Sequence, residues 1–239
     1  METVYYDFHI HSALSPCAAN DMTPNNIVGM AVLNGLDVIA VTDHNTFGNV
    51  ESVMKVAAKH NIIVLPGAEI DTAEEVHVLC LFCDLESALA FENCLSSHYS
   101  EFPNRKDIFG DQLLFDENDN PVGEIDRMLI SATSISFDNL FTLVSEFGGA
   151  FIPSHIDRDS YSVLSNLGFL PEYLNIPTVE VSPDGLSKNF SDGNNKIPQS
   201  TRIVTSSDAH YLWNIAEKWQ FLTLSELSPR AIIDLLSKK

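Results

Sequence analysis

The sequence predicts an α/β protein folded as a β/α barrel, and two patterns predict it. Apolar runs with strand character alternate with helical segments along nearly all of the 239 residues, which argues a parallel β/α architecture, open or closed. Short histidine and carboxylate motifs follow the runs at 4–10, 36–42, 62–65, 150–153 and 202–205. β/α barrels gather their functional groups at the C-terminal ends of strands, so this placement favours the closed form.

The elements follow in order. Residues 4–10 read as the first strand. Thr23-Pro24 opens a helix, with Thr as N-cap and Pro at the first helical position, and Gly35 closes it. Residues 36–42 form a second strand and 49–59 an amphipathic helix. Residues 62–65 and 76–82 are strands, and a helix covers 86–97. From about 100 to 133 the alternation breaks. The turn-rich Asp116-Glu117-Asn118-Asp119-Asn120-Pro121, between 112–115 and 122–124, reads as a small hairpin excursion. Ser136 caps a helix to about Phe147, ended by Gly148-Gly149. Residues 150–153, 177–181, 202–205 and 219–224 are further strands, and Ser228-Pro229 opens a last helix. Residues 184–198, rich in Gly, Asn and Ser, read as a mobile surface loop. No repeat or linker interrupts the pattern, so 1–239 reads as one domain.

The charge balance narrows the partners. Thirteen basic residues face 33 acidic ones, a net charge of −20. Such a surface repels nucleic-acid backbone and anionic lipid, which argues against long nucleic acid and membrane partners. A small phosphorylated substrate stays open, because bound metal ions dominate the field inside a site. No apolar run approaches the roughly 18 residues of a membrane span. The first residues lack a signal-peptide pattern, so a cytoplasmic protein is expected. Cys17, Cys80, Cys83 and Cys94 are too sparse for a disulfide scaffold. Cys80 and Cys83 sit in an apolar strand-like run and read as core thiols rather than a redox pair.

Six of the eight histidines carry the chemistry. His9-Ile10-His11 puts two imidazoles on one strand face, where both can chelate one ion. In Asp43-His44 the acid can orient a ligand and the imidazole can bind. Glu69 follows Leu65-Pro66-Gly67 at a strand mouth, and a carboxylate can bridge two ions. Asp71 is a weaker candidate. His77 lies in an apolar strand, His155 follows one, and Asp208-Ala209-His210 repeats the two-residue spacing. Each motif alone has an ordinary explanation: a half-buried strand, a helix cap beside a surface histidine, a solvated loop acid. Six of them placed after strands point instead to a centre of several metal ions. Several ions together mostly serve hydrolysis, above all of phosphoesters.

The ordered set H-x-H, D-H, E, H, H, D-x-H, from Asp7 to His210, resembles the PHP (polymerase and histidinol phosphatase) family, and most closely its stand-alone bacterial metal-dependent phosphoesterases. The resemblance implies a distorted (β/α)7 TIM-like barrel, with 100–133 as an insertion over the site. It implies three divalent ions, of zinc, iron or manganese. Carried over by motif, one ion takes His9, His11, Glu69 and Asp208. A second takes His44 and His210, and a third takes Glu69, His77 and His155. Glu69 bridges and Asp43 supports. The family usually supplies an Asp or His shortly after H-x-H. Here Cys17 stands in that interval as the expected ligand, with Asp21 as the other candidate. The implied activity is hydrolysis of a small phosphate ester, a nucleotide or phosphorylated metabolite, by metal-activated hydroxide. Arg158 is the candidate phosphate clamp, since a guanidinium fork matches two phosphoryl oxygens; a surface pair with Asp157 or Asp159 is its plainer role. The rival reading is an amidohydrolase-like enzyme cleaving an amide or lactone. Such enzymes also begin with H-x-H but commonly hold a carboxylated lysine where Glu69 stands. A non-catalytic metal store would need closed coordination.

Overall fold

A computed structural model describes residues 1–188, 190 and 197–238. Its elements run β1 (Glu2–Ile10), α1 (Pro24–Leu33), β2 (Val38–Val41), α2 (Val50–Ala57), β3 (Ile63–Asp71), β4 (His77–Leu81) and α3 (Leu85–Leu95). Then come α4 (Lys106–Phe109), β5 (Leu113–Phe115), β6 (Pro121–Glu124), α5 (Phe137–Glu146), β7 (Ala150–Pro153) and α6 (Val163–Asn166). The chain continues through β8 (Thr178–Glu180), α7 (Pro183–Ser187), β9 (Arg202–Val204), β10 (Phe221–Leu224) and α8 (Pro229–Ser237). Among the described residues, no helix is long and apolar enough to cross a membrane.

Six strands form one curled sheet in the order β10-β1-β2-β3-β4-β7, with β8 and β9 paired beside it. Parallel pairing holds for β1–β2–β3 and for β8–β9. It fails elsewhere: β4 runs antiparallel to β3 and β7, and β10 antiparallel to β1. The reason is chain length. Residues 72–76 are too few for a crossover, so β4 must return alongside β3. Hydrogen bonds then tie the smaller pair to the curled sheet. The Ile156 amide donates to the Glu180 carbonyl (2.9 Å), and the His11 amide to the Ala209 carbonyl (2.9 Å).

Local chemistry explains most of the elements. β2 is Val-Ile-Ala-Val and fully buried, as a central parallel strand must be. α2 buries Val50, Val53, Val56 and Ala57, one helical stripe. Ser136 and Ser228 cap α5 and α8 by accepting from the amides of Asn139 and Ala231. Gly148, at φ +67°, turns the chain out of α5. Thr23 begins α1 without capping it by its side chain; its hydroxyl instead donates to Asp119 (2.8 Å) and pins the hairpin. Cys80 is buried as expected, but Cys83 is only half-buried and its thiol meets Asp84. Of the loop expected over 184–198, the first part forms α7, and residues 189 and 191–196 lie outside the described residues.

The excursion is the β5–β6 hairpin plus the short α4, which the sequence pattern did not signal. It lies against the segments that follow β1 and β2. The Leu113 amide donates to the Ala13 carbonyl (2.9 Å), and Asn49 bonds both Leu113 and Phe115.

β7 enters the sheet through a tight approach. A Cβ on Gly149 would lie 2.6 Å from Phe82 Cε1 and 3.0 Å from the Leu81 carbonyl oxygen, and that ring is fully buried. Gly149→Ala should therefore cost about 1–3 kcal/mol. The expected result is a lower urea midpoint with an unchanged slope; an unaltered midpoint would show that the ring can yield.

Candidate metal centre

Strand ends bring the histidines together. His9 and His11 leave the end of β1 on one face, and His44 follows β2. His77 opens β4, and His155 follows β7. Asp208 and His210 follow β9. Glu69 corrects the sequence reading: it lies inside β3, not after it. β3 pairs with β2 as far as Pro66 and with β4 from Gly67 onward, so one strand spans the curl and carries Glu69 into its interior.

The Glu69 carboxylate is the hub. Oε1 lies 3.3 Å from His9 Nε2, 3.1 Å from His77 Nδ1 and 3.4 Å from His155 Nε2. Oε2 lies 3.5 Å from His11 Nε2 and 3.3 Å from His44 Nδ1. Asp208 Oδ1 lies 3.2 Å from Nε2 of both His9 and His11. Three groupings have ligand atoms within 4.8 Å of one another: His11–His44–His210, His9–His11–Asp208 and His44–Glu69–His77.

These atoms fit cations better than they fit each other. His9 Nδ1 faces the Glu180 carboxylate at 3.0 Å, so that nitrogen carries the proton. Ser15 gives its hydroxyl proton to Asp43 (2.7 Å) and so accepts from His11 Nδ1 (3.0 Å). Both Nε2 lone pairs then face each other at 3.2 Å, with Asp208 Oδ1 completing the triangle. A single proton can serve only one edge of it. His44 Nδ1 and Glu69 Oε1 are buried with no hydrogen-bond partner.

Charge follows the same geometry. Burial would raise Glu69, but the His77 and His9 charges hold it well below the usual carboxylate range. Burial would lower His9, but Glu180, Asp208 and Glu69 push it well above the usual imidazole range. The carboxylates that raise the proton affinity of His9 would equally favour a cation beside it. Burial, reinforced by His11, brings His210 down to about 4 and His44 well below its ordinary value, which leaves both in the neutral ligand form.

A supporting layer orients the ligands. Asp43 takes bonds from the Ser12 amide (2.7 Å) and from the hydroxyls of Ser12 (2.6 Å) and Ser15 (2.7 Å), so it acts on His11 through Ser15. Glu180 was missed by the sequence reading. It holds His9 and also accepts from the His155 amide (3.0 Å); its one signal was a carboxylate inside the apolar run 177–181. Asp7, where the motif set begins but which had no role in the sequence reading, accepts from the amides of Ser207 (3.0 Å) and Ala216 (2.9 Å).

Not every candidate joins the cluster. Cys17 and Asp21 are exposed and fall in none of the three groupings among the described residues. Crowding by protein atoms with the nearby Glu69 charge pushes the Cys17 thiol up to about 12. Arg158 pairs with Asp208 (2.7 Å) rather than with Asp157 or Asp159. It lines a cavity of about 100 Å³ with His44, Glu69, His77, His155 and Asp208. Tyr161, another residue the sequence did not single out, also lines it, its ring stacked on His77 at 4.7 Å. Burial raises Asp71 to about 6, and its Oδ2 is 4.0 Å from His77.

A family profile described as PHP domain matches residues 7–175. The chain belongs to the PHP domain family. This PHP chain is also similar in fold to a lesion-specific endonuclease from Pyrococcus furiosus, with 16% identity and a TM-score of 0.67. That match covers 99% of this chain and 56% of the endonuclease, so the chain spans little more than half its length. A Bifidobacterium adolescentis protein described by inference as a metal-dependent phosphoesterase matches at 16% identity and TM-score 0.58, over 98% of this chain and 96% of that one. An amidohydrolase from Chromobacterium violaceum with bound sulfate matches at 18% identity and TM-score 0.56, over 87% and 88%. No curated protein matches the sequence.

Because Glu180 fixes the His9 ring and charge, Glu180→Gln should weaken metal binding by about 10–100-fold. Competition with a chromogenic chelator reads this directly. Wild-type affinity in the variant would remove Glu180 from the centre.

Proposed function

We propose that this PHP chain is a metal-dependent phosphoesterase acting on a small phosphate ester, a nucleotide or phosphorylated metabolite. We read its fold as the distorted (β/α)7 barrel, one unit with 100–133 as its insertion over the site. The observation that carries the functional reading is Glu69, a buried carboxylate within 3.5 Å of five imidazoles. His9, His11, Glu69 and Asp208 would hold one ion. His44 and His210 would hold a second, with Cys17 or Asp21 as the expected further ligand although neither falls in the groupings of close donor atoms. Glu69, His77 and His155 would hold a third, and zinc, iron and manganese all suit this donor set.

Such ions, when bound, acidify water and neutralise phosphoryl oxygens. The chain supplies the rest. Glu180 and Asp43 keep the Nδ1 protons of His9 and His11 in place, so both Nε2 atoms face the centre. Arg158 stands at the mouth, able to exchange Asp208 for two oxygens of a phosphate. Net charge −20 favours a small ester over long nucleic acid, although the Pyrococcus furiosus endonuclease shares the fold. Four free thiols suit a reducing, cytoplasmic compartment.

The Chromobacterium violaceum amidohydrolase gives the second reading its support, cleavage of an amide or lactone. Against it, no lysine lines the cavity among the described residues.

The test pairs elemental analysis with hydrolysis of an aryl phosphate. About three ions per chain and activity lost to chelator are expected, and Glu69→Gln should lose both metal and turnover. Metal without phosphate hydrolysis, alongside cleavage of an amide or lactone panel, would transfer the assignment to the second reading. Full turnover of Glu69→Gln at wild-type metal content would sink the ligand scheme.

A further inference from the structure

Three residues past His210 the chain displays a second feature, which the metal centre does not use. Trp213 is 72% exposed and Trp219 45% exposed. They line a cavity of about 360 Å³ with Pro183, Ser206, Ser207 and Asn214. Tyr211 covers one face of Trp213, with centroids 4.9 Å apart and planes at 15°.

The segment that carries these rings is held firmly. Leu212 and Ile215 pack into the core beneath it. Asn34 donates to the carbonyls of Ile215 (2.9 Å) and Ala216 (3.2 Å). Asp7 binds the Ala216 amide and both donors of Ser207. The aromatic faces are thus presented by a fixed backbone, and large indoles left in water there need a reason.

We propose that this pocket seats the nucleobase of a nucleoside monophosphate whose phosphate lies at the metal centre, an assignment that rests on the phosphoesterase reading. Each base has a π-face that stacks on indole. The cavity, about 360 Å³, has room for a purine. Ser206 and Asn214 offer polar groups for a base edge. The pocket lies beside the centre in the chain and is linked to it by shared lining residues. Ser207 directly precedes the ligand Asp208. Pro183 also lines a neighbouring cavity of about 580 Å³ that includes Arg158, and Arg158 lines the metal cavity in turn. A surface of net charge −20 leaves little cationic attraction for phosphate outside the centre, so stacking supplies the affinity.

The chain has two tryptophans and both are here, so intrinsic fluorescence reports on this pocket alone. Titrate the purified protein, excited at the red edge of tryptophan absorption, with AMP and with ribose 5-phosphate. AMP should quench saturably and ribose 5-phosphate should not. Trp213→Leu leaves Trp219 as the reporter, and AMP binding should weaken about tenfold or more; Trp219→Leu repeats the test from the other wall. Trp213 is largely outside the core, and a far-ultraviolet dichroism spectrum checks that each variant is folded. Equal responses to both ligands, no saturable quench, or unaltered AMP affinity in both variants would overturn the proposal. Aryl phosphate hydrolysis without AMP quenching defeats this pocket and spares the phosphoesterase reading. AMP quenching without any phosphate hydrolysis supports the pocket and defeats that reading.

Discussion

The centre depends on one buried carboxylate. Glu69 is 1% exposed, and an ionised carboxylate so placed is strongly disfavoured unless positive charge surrounds it. Five imidazoles do surround it, arriving from the ends of three strands, β1, β2 and β7, and from the start of β4, and they meet Glu69 because β3 changes partners midway. Neutral imidazoles alone would answer only part of the charge. The raised proton affinity of His9 and His77, and the ions that the same atoms would hold, are two answers to the same electrostatic demand.

The second demand falls on the backbone. His155 and Asp208 sit at φ +29° and +53°, conformations that cost a non-glycine residue about 1–3 kcal/mol. Each is held by buried carboxylates from elsewhere. Glu180 binds the His155 amide, and Asp7 binds both donors of Ser207 next to Asp208. Asp43 does the same for the Ser12–Ser15 turn. Three fully or almost fully buried acids therefore fix loop geometry without entering the ligand groupings. Their own desolvation is met by amide and hydroxyl donors, so the ligand positions are set before any ion arrives.

What the sequence revealed follows from chain-local geometry. H-x-H was legible because period two puts both side chains on one strand face, D-x-H because its two donor types stand two residues apart just after an apolar run, and the helices because their caps and stripes lie within a few residues. Glu69 was placed after its strand because Pro66-Gly67 reads as a strand end; tertiary pairing with β4 carries β3 through it. The antiparallel return of β4 needed only the shortness of 72–76 to be weighed against the alternation pattern. Glu180 was hidden for a different reason. Its meaning lies in a contact with His9 across 171 positions, and no local pattern encodes that. Cys17 satisfied a family spacing, yet Asp43 holds the preceding Ser12–Ser15 turn and Cys17 falls in none of the ligand groupings among the described residues.

The excursion is coupled to the centre through Asn45, the residue after His44. Its side chain donates to the carbonyls of Leu129 (2.7 Å) and Ser131 (2.9 Å), at the end of the insertion. The same amide accepts from the Asp71 amide (3.0 Å), at the end of the strand that carries Glu69. Its carbonyl accepts from Arg127 (2.7 Å), whose guanidinium lies 3.7 Å from the Tyr99 ring centroid. Asn45 does this at φ +53°, which asparagine tolerates better than most residues. One residue thus joins insertion, bridging strand and ligand loop. A change in the insertion that loosens residues 127–131 reaches the His44 loop and the end of β3 through it, so sequence variation there bears on both positions together.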